Sequence, residues 1–221
     1  MATAHPQAAK GGPIGGPAVN LSPSTGISIG SAVGAVAEWL QRITVRVRGP
    51  NYSQGSGIIW RPEGLIVTNA HVAGSQVHEV ELADGRTLEG WLVARDPKRD
   101  LAALAVNSSA LPAPCIRSAR TLRPGELVIA IGNPWDGARA VSAGIVHHAA
   151  GNSPWLIADI RLAPGNSGGP LADAEGNVIG VNSMIVGGFG CAVTSDAVEA
   201  FLQRVHLATA VPNTHDVGVL G

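Results

Sequence analysis

Between Ile43 and Ser195 the sequence is a succession of short apolar segments that end in Gly, Pro, Asn or Asp. ITVRVRG (43–49) alternates apolar and polar side chains, which is typical of a strand buried on one face. SGIIW and GLIVTNA flank the turn RPEG, and the segment 77–96 predicts a hairpin about Asp84-Gly85. LAALAV (101–106) is a further candidate strand. The pattern therefore predicts strands and tight turns as the main structure of the chain.

The second half of the chain shows the same pattern of short apolar segments separated by turn residues. Its strand-like segments are ELVIAIG, AVSAGIVHH, WLIADI, NVIGVNSMIV and CAVTS, and a Pro- and Ser-rich stretch at 107–125 separates them from the first half. The 29 glycines, 15 prolines and 4% aromatic residues agree with many short strands. Closure of each half into a barrel would leave no long apolar strand edge exposed. We therefore predict an all-β fold of two packed antiparallel β-barrels.

Two helices are expected beside the barrels. Residues 35–42 lead into the first strand and predict a short N-terminal helix, and a C-terminal helix is predicted with Ser195 as its N-cap. Asp196 follows the cap, and the apolar face of this helix comprises Val198, Phe201, Leu202 and Val205. The predicted domains are a flexible Gly-, Pro- and Ala-rich lead-in at 1–34, a first barrel at 35–112, and a second barrel with helix and tail at 113–221.

The charge balance argues against some classes of partner. Lys and Arg total 15 against 16 Asp and Glu, without a basic run, so a nucleic-acid partner is not expected. No stretch is apolar for long enough to span a bilayer. Ala35-Val36-Ala37 resembles a signal-peptide cleavage site only loosely, so the sequence predicts no secretory signal and favours the cytoplasm.

The two cysteines, Cys115 and Cys191, are far apart and match no metal-ligand spacing. We expect buried free thiols, with a disulfide as the alternative. Neither cysteine lies in a Gly-rich turn or near a candidate base, which argues against a cysteine-dependent enzyme. No pattern indicates a metal, a nucleotide or any other cofactor.

The stretch LAPGNSGGPL (162–171) places Ser167 among glycines that permit positive φ and close approach of another backbone. Such a stretch is either only a tight turn or a turn that presents a nucleophilic hydroxyl. A serine nucleophile needs a base. His71 leaves an apolar strand at a turn, where its side chain can face a cleft. The other histidines are interpreted as solvated: His5, His78, His147, His148, His206 and His215.

A catalytic histidine also needs an acceptor that fixes its tautomer. Asp96 and Asp100 both lie in ARDPKRDLAALAV. Asp96 precedes a proline and fits a turn, whereas Asp100 immediately precedes an apolar run, where a carboxylate can be partly buried. Asp100 is therefore the candidate, the alternative being that it starts a turn or pairs with Arg99.

Together these segments resemble the trypsin-like serine proteases, specifically the HtrA/Deg branch. The resemblance covers about residues 43–203 and is carried by TNAHV, DPKRDLAAL, AIGNP, PGNSGGPL and GNVIGVNS. It implies a double barrel with His71 and Asp100 from the first barrel and Ser167 from the second. It also implies that the N–H groups of Gly165 and Ser167 form an oxyanion hole. The resemblance implies a serine endopeptidase that hydrolyses peptide bonds in unfolded or flexible proteins and peptides. It also implies a role in protein quality control.

The chain departs from the family pattern at Arg161, where the family usually has a small apolar residue at the floor of the specificity pocket. Arg161 either favours an acidic substrate side chain or turns outward and leaves a small aliphatic pocket. The resemblance assigns the remaining pocket residues to the segment 182–190, with Asn182, Ser183 and Met184 as candidates.

Further expectations follow from the resemblance. It implies a homo-trimer formed through residues 27–40, with packing of that segment on its own barrel as the alternative. Family members commonly carry a PDZ domain, for which the residues after Val205 are too few, so recruitment by such a domain is not expected. The family implies a periplasmic or secreted protein, in contrast to the sequence. The alternative function is a latent or inactive peptide-binding pseudoprotease.

Overall fold

Two closed barrels contain all the strands found in the computed structural model, which describes residues 29–50, 54–135, 138–148 and 151–204. The first barrel comprises β1 (Thr44–Arg48), β2 (Gln54–Arg61), β3 (Leu65–Thr68), β4 (Val77–Glu81), β5 (Thr87–Asp96) and β6 (Leu101–Val106). The second comprises β7 (Leu127–Trp135), β8 (Ala138–His148), β9 (Trp155–Asp159), β10 (Pro170–Asp173), β11 (Val178–Val186) and β12 (Phe189–Thr194). Helix α1 (Ile29–Ile43) precedes the first barrel in the chain, and helix α2 (Ser195–Arg204) follows the second. A 3₁₀ turn (Ala119–Thr121) lies in the segment that connects β6 to β7.

The strand pairing confirms the predicted all-β fold. The spatial order is β1-β2-β3-β6-β5-β4 in the first barrel and β10-β11-β12-β9-β8-β7 in the second, and neighbouring strands are antiparallel. The predicted hairpin about Asp84-Gly85 joins β4 to β5, with Glu81 opposite Thr87. Strands β3 and β6 are also neighbours, and this pairing brings the chain after β3 close to the chain before β6.

Three apolar clusters stabilise this arrangement. One fills the first barrel and includes Val45, Ile66 and Leu104, and another fills the second barrel and includes Leu156 and Ile179. The third joins the two barrels, since it combines Ile58 and Leu101 with Ile129 and Val181, and α1 and α2 cover it through Leu40 and Phe201. The two barrels therefore share an apolar interface.

Both helices differ in detail from the prediction. Helix α1 begins at Ile29, earlier than predicted. The cap of α2 is Thr194, since its hydroxyl accepts the Ala197 N–H at 3.3 Å, whereas the predicted cap Ser195 donates its hydroxyl to the Arg117 carbonyl at 2.6 Å. Val198, Phe201 and Leu202 are buried as expected, and Val205 lies outside the described residues.

Two expectations about exposure are wrong. His78 is 2% exposed, because it shares the inward face of β4 with Val80. Cys115 is exposed, whereas Cys191 is buried as expected, and both thiols are free. His147 and His148 are exposed, while His5, His206 and His215 lie outside the described ranges. No helix within those ranges is long and apolar enough to cross a membrane.

Candidate active site

His71 and Asp100 meet because they flank paired strands. His71 lies in the turn after β3, and Asp100 directly precedes β6. The Asp100 carboxylate contacts His71 Nδ1 at 2.9 and 3.0 Å and accepts the His71 backbone N–H at 3.1 Å. Arg95 supports the turn by donating two hydrogen bonds to the Ala70 carbonyl. These contacts suit an imidazole that carries its proton on Nδ1 and leaves Nε2 free to accept one.

The backbone of Asp100 has an uncommon conformation that a second polar residue supports. Its φ is 54°, in the left-handed region that non-glycine residues seldom adopt. The buried Asn69 side chain donates to the Asp100 carbonyl at 2.9 Å. Asn69 therefore helps to hold the carboxylate at the site, a role that sequence reasoning missed although TNAHV contains the residue.

The alternatives for Asp100 can be compared directly. Arg99 pairs with Asp96 at 2.8 Å, so the guanidinium is bound to the other aspartate of the turn. Burial raises the pKa of the Asp100 carboxyl, but the hydrogen bonds from His71 and Ser183 lower it by more, and the pKa lies below its ordinary value. The carboxylate is thus favoured in its charged form, which is the form that can orient an imidazole.

Ser167 lies in a turn of the second barrel that touches the first. The Asn166 N–H donates to the Ala163 carbonyl at 3.0 Å, and Gly165 has φ 94°, which is typical of a type II turn with Pro164 and Gly165 at its centre. The Ser167 carbonyl accepts the Ser56 N–H at 2.8 Å. The turn is therefore anchored to strand β2 of the opposite barrel.

Glycine is required next to Ser167 because backbone from the first barrel passes very close. A Cβ at Gly168 would lie 2.0 Å from the Ser56 carbonyl oxygen and 2.4 Å from Thr68 Oγ1, and its φ is 86°. A Cβ at Gly55 would lie 2.7 Å from Val72 and 3.0 Å from the Ser167 carbonyl oxygen. Gly55 thus lies between the Ser167 carbonyl and Val72, the residue that follows His71 in the chain.

Ser183 connects the two halves of the site. Its hydroxyl donates to Asp100 Oδ2 at 2.5 Å, and its carbonyl accepts the Ser167 hydroxyl at 3.1 Å. No hydrogen bond joins Ser167 to His71 in the described part of the chain. The three predicted catalytic residues are therefore assembled around Ser183, with the serine hydroxyl turned toward Ser183 in this structure.

The predicted oxyanion-hole residues have hydrogen-bonded carbonyls, and their amides are unpaired within the described ranges. The Gly165 carbonyl accepts the Ser56 hydroxyl at 2.8 Å and the Asn133 N–H at 3.3 Å. The N–H groups of Gly165 and Ser167 have no hydrogen-bond partner among the residues that the structure describes. Two unpaired donors in one turn can stabilise negative charge on a ligand oxygen.

The residues predicted for the specificity pocket differ in their exposure to solvent. Arg161 is exposed, whereas Leu162 is half-buried, with its Cδ1 3.2 Å from where a Cβ of Gly190 would lie. Met184 is 42% exposed. Asn182 is buried, and its amide donates to the Pro170 carbonyl at 2.9 Å, so its side chain braces the backbone and does not face a cleft.

No group of three or more His, Cys, Asp or Glu side chains within the described ranges is placed to hold a metal ion.

Residues 55–181 match the family model described as the trypsin-like peptidase domain. The mitochondrial serine protease HTRA2 of Drosophila persimilis is 36% identical over 180 residues, covering 75% of this chain and 42% of that protein. A probable periplasmic serine endoprotease, DegP-like, from Hahella chejuensis is 43% identical over 157 residues, covering 65% of this chain and 33% of that protein. The chain thus spans less than half the length of these curated relatives.

Proposed function

The chain belongs to the trypsin-like peptidase family, and on that premise we propose that it is a serine endopeptidase whose nucleophile is Ser167. The observation that carries the proposal is the continuous set of hydrogen bonds from His71 through Asp100 and Ser183 to Ser167. It crosses the cleft between the barrels and supplies a nucleophile, a base and an orienting carboxylate in one place.

In the proposed reaction the Ser167 hydroxyl oxygen attacks the carbonyl carbon of the scissile peptide bond. His71 Nε2 takes the hydroxyl proton and then gives it to the departing amine, which leaves an acyl-enzyme on Ser167. Water attacks this ester with His71 again as the base, and the acid product leaves. Asp100 remains ionised and stabilises the imidazolium, consistent with its lowered pKa.

The Ser167 hydroxyl must first turn from the Ser183 carbonyl toward His71. This movement exchanges one ordinary hydrogen bond, worth about 1 kcal/mol net, for another. Rotation about a serine side chain is fast relative to turnover. The resting orientation therefore presents only a small barrier to the proposed chemistry.

The negative charge that develops on the carbonyl oxygen requires donors at the same point. The N–H groups of Gly165 and Ser167, which are unpaired within the described part of the chain, are the proposed oxyanion hole. Each such donor contributes roughly 10²- to 10³-fold to the rate in comparable sites.

The free edge of β11 is the proposed binding site for the substrate backbone. Strand β11 pairs with β10 only as far as Val181, so residues 184–186 pair with β12 alone within the described chain. Met184, Ile185 and Val186 are 42%, 56% and 50% exposed there. An extended peptide can add to such an edge as a further strand. This requirement favours unfolded or flexible protein segments as substrates.

The pocket beside Ser167 is proposed to accept a short aliphatic side chain. Leu162 and Ile160 approach Gly190 closely, so a side chain that enters beside Gly190 would meet apolar groups with little room. The exposed position of Arg161 supports the outward orientation over a guanidinium at the pocket floor. An acidic substrate side chain would then lack a partner inside the pocket.

A peptide-binding pseudoprotease is the second candidate. It is considered because the Ser167 hydroxyl is bound to the Ser183 carbonyl in this structure, and a protein in which that hydroxyl stayed there would bind peptides along β11 without cleaving them. Peptide affinity without turnover would support this candidate.

The test is incubation of the protein with unfolded casein and a peptide library, followed by mass spectrometry of the products. We expect cleavage after short aliphatic residues and no cleavage by the matched Ser167→Ala variant. Equal cleavage by the two proteins would refute the assignment of Ser167, and binding without cleavage would favour the pseudoprotease.

A further inference from the structure

Ser56, on strand β2 of the first barrel, holds the carbonyls of both residues whose amides form the proposed oxyanion hole. Its hydroxyl donates to the Gly165 carbonyl at 2.8 Å, and its backbone N–H donates to the Ser167 carbonyl at 2.8 Å. The hydroxyl oxygen in turn accepts the Asn133 N–H at 3.0 Å. One residue of the first barrel therefore sets where two residues of the second barrel lie.

We propose that Ser56 is a positioning residue for peptide hydrolysis, which sets the direction of the Gly165 and Ser167 N–H groups indirectly, by anchoring the carbonyls of the same two residues. The inference rests on the proposed serine-peptidase function. Ser56 is 0% exposed, so it touches neither substrate nor the reacting atoms. Its effect is exerted through the backbone of the turn.

The hydroxyl bond matters because it is the shorter of the two hydrogen bonds that hold the Gly165 carbonyl. Gly165, at φ 94°, has the conformational freedom of glycine, and Pro164 is exposed. The peptide between Gly165 and Asn166 is held at its N–H end by the Ala163 carbonyl and at its C=O end by Ser56 and Asn133. Without the Ser56 hydroxyl, the C=O end keeps only the longer contact of 3.3 Å from Asn133.

Asn133 is part of the same hydrogen-bond network. Its N–H contacts both the Ser56 hydroxyl and the Gly165 carbonyl, and its side chain lies 3.4 Å from the same hydroxyl and from the Val45 carbonyl. Ser56 and Asn133 are buried and Gly165 is partly buried, so a hydrogen bond among them is costly to lose. The network thus links β1, β2 and β7 to the turn.

The expected signature is a loss of turnover without a loss of substrate binding. An oxyanion hole acts in the transition state, and a misplacement of about 1 Å at a reacting centre costs up to roughly 10²-fold in rate. We therefore expect Ser56→Ala to lower kcat about 10- to 100-fold and to leave KM within about threefold, because β11 and the pocket are unchanged.

The experiment compares kcat, KM and the inhibition constant of a peptidyl boronic acid, whose adduct with Ser167 places an oxygen in the hole. The variants are Ser56→Ala, Ser56→Cys, which keeps a weak donor of similar size, and Thr44→Val. Thr44→Val is the matched control, since it removes a buried hydroxyl that donates to the Leu40 carbonyl at 2.7 Å away from the turn.

Support requires that Ser56→Ala loses kcat and boronate affinity by similar factors, that Ser56→Cys is intermediate, and that Thr44→Val matches the wild type. If Ser56→Ala does not fold, the intermediate kcat of Ser56→Cys carries the test. A wild-type kcat in either folded Ser56 variant overturns the inference about Ser56 and leaves the proposed peptidase function standing. A wild-type protein that neither cleaves peptides nor binds the boronate overturns the proposed function and the inference with it.

Discussion

Replacement of Asp100 by asparagine tests the proposed role of the carboxylate at nearly constant volume. The two carboxylate oxygens meet three donors: the backbone N–H of His71, its Nδ1 and the Ser183 hydroxyl. An amide offers one oxygen and one NH₂ group, so the NH₂ group must face either the Ser183 hydroxyl, which can turn to accept, or His71 Nδ1, which accepts only in the other tautomer. The tautomer that accepts from an amide on Nδ1 carries its proton on Nε2 and cannot take the Ser167 proton.

We therefore expect Asp100→Asn to lower kcat by about 10⁴-fold, or about 5.5 kcal/mol of transition-state stabilisation, as in a triad with the wrong tautomer. KM should change little, because Asp100 lies behind His71. The assay is steady-state hydrolysis of a fluorogenic peptide with a short aliphatic residue before the scissile bond, with active sites counted by mass spectrometry.

Asp96→Asn is the matched control. Asp96 lies in the same turn, binds Arg99 at 2.8 Å and accepts the Lys98 N–H, but it makes no contact with His71 in the described structure. We expect its kcat to stay within about threefold of the wild type. More than a tenth of the wild-type kcat in Asp100→Asn, or an equal loss in the two variants, would refute the reasoning.

Three further predictions concern the turn, the buried histidine and the pocket. Gly168→Ala should cost about 2–5 kcal/mol of unfolding free energy, since it combines positive φ with a 2.0 Å approach to the Ser56 carbonyl. Gly85→Ala, with φ 87° and nothing within 4 Å, should cost only about 1–2 kcal/mol in the same urea titration, and equal losses would contradict the steric argument. Burial lowers the pKa of His78, so the unfolded chain takes up a proton more readily, and stability should fall as the pH drops below about 6.5. Urea titrations at pH 7 and pH 5 should show a smaller pH dependence in His78→Phe, and the same dependence in both proteins would dismiss His78 as the cause. Leu162→Ala should shift the preference, measured as a kcat/KM ratio, toward larger aliphatic or aromatic residues by about tenfold or more. An unchanged ratio would show that Leu162 does not line the pocket.

The barrels could be predicted from sequence because alternation and turn residues are local signals. β4 and β5 with Asp84-Gly85 between them illustrate this, since the turn and both strands are evident within 20 residues. His78 shows where residue type misled the prediction. Its position two residues before Val80 puts both on the inward face, but a histidine was expected to be solvated.

The candidate site was predictable in part for the same reason. His71 and Asp100 lie where an apolar strand meets a turn, and Ser167 lies in a Gly-rich turn, so all three positions are visible in short segments. Ser56 was not, because its hydroxyl binds Gly165, 109 positions away, and no local pattern encodes that contact. Asn69 is a similar case, since it supports Asp100 across 31 positions.

The orientation of the specificity residues also lies beyond sequence reasoning. Whether Arg161 or Leu162 lines the proposed pocket depends on which way a turn without regular periodicity faces. In the folded chain Arg161 is exposed and Leu162 is half-buried beside Gly190, which supports Leu162 as the proposed lining residue. Asn182 was expected near substrate, but its bond to Pro170 is formed only when β10 and β11 pair.

The central claim is that His71 and Asp100 make the hydroxyl of Ser167 a nucleophile. Labelling with a fluorophosphonate, followed by peptide mapping, tests it most directly. We predict a single adduct on Ser167 in the wild type, its loss in His71→Ala, and much slower labelling of Asp100→Asn. No adduct on Ser167, or an adduct that forms equally fast without the imidazole, would contradict the claim.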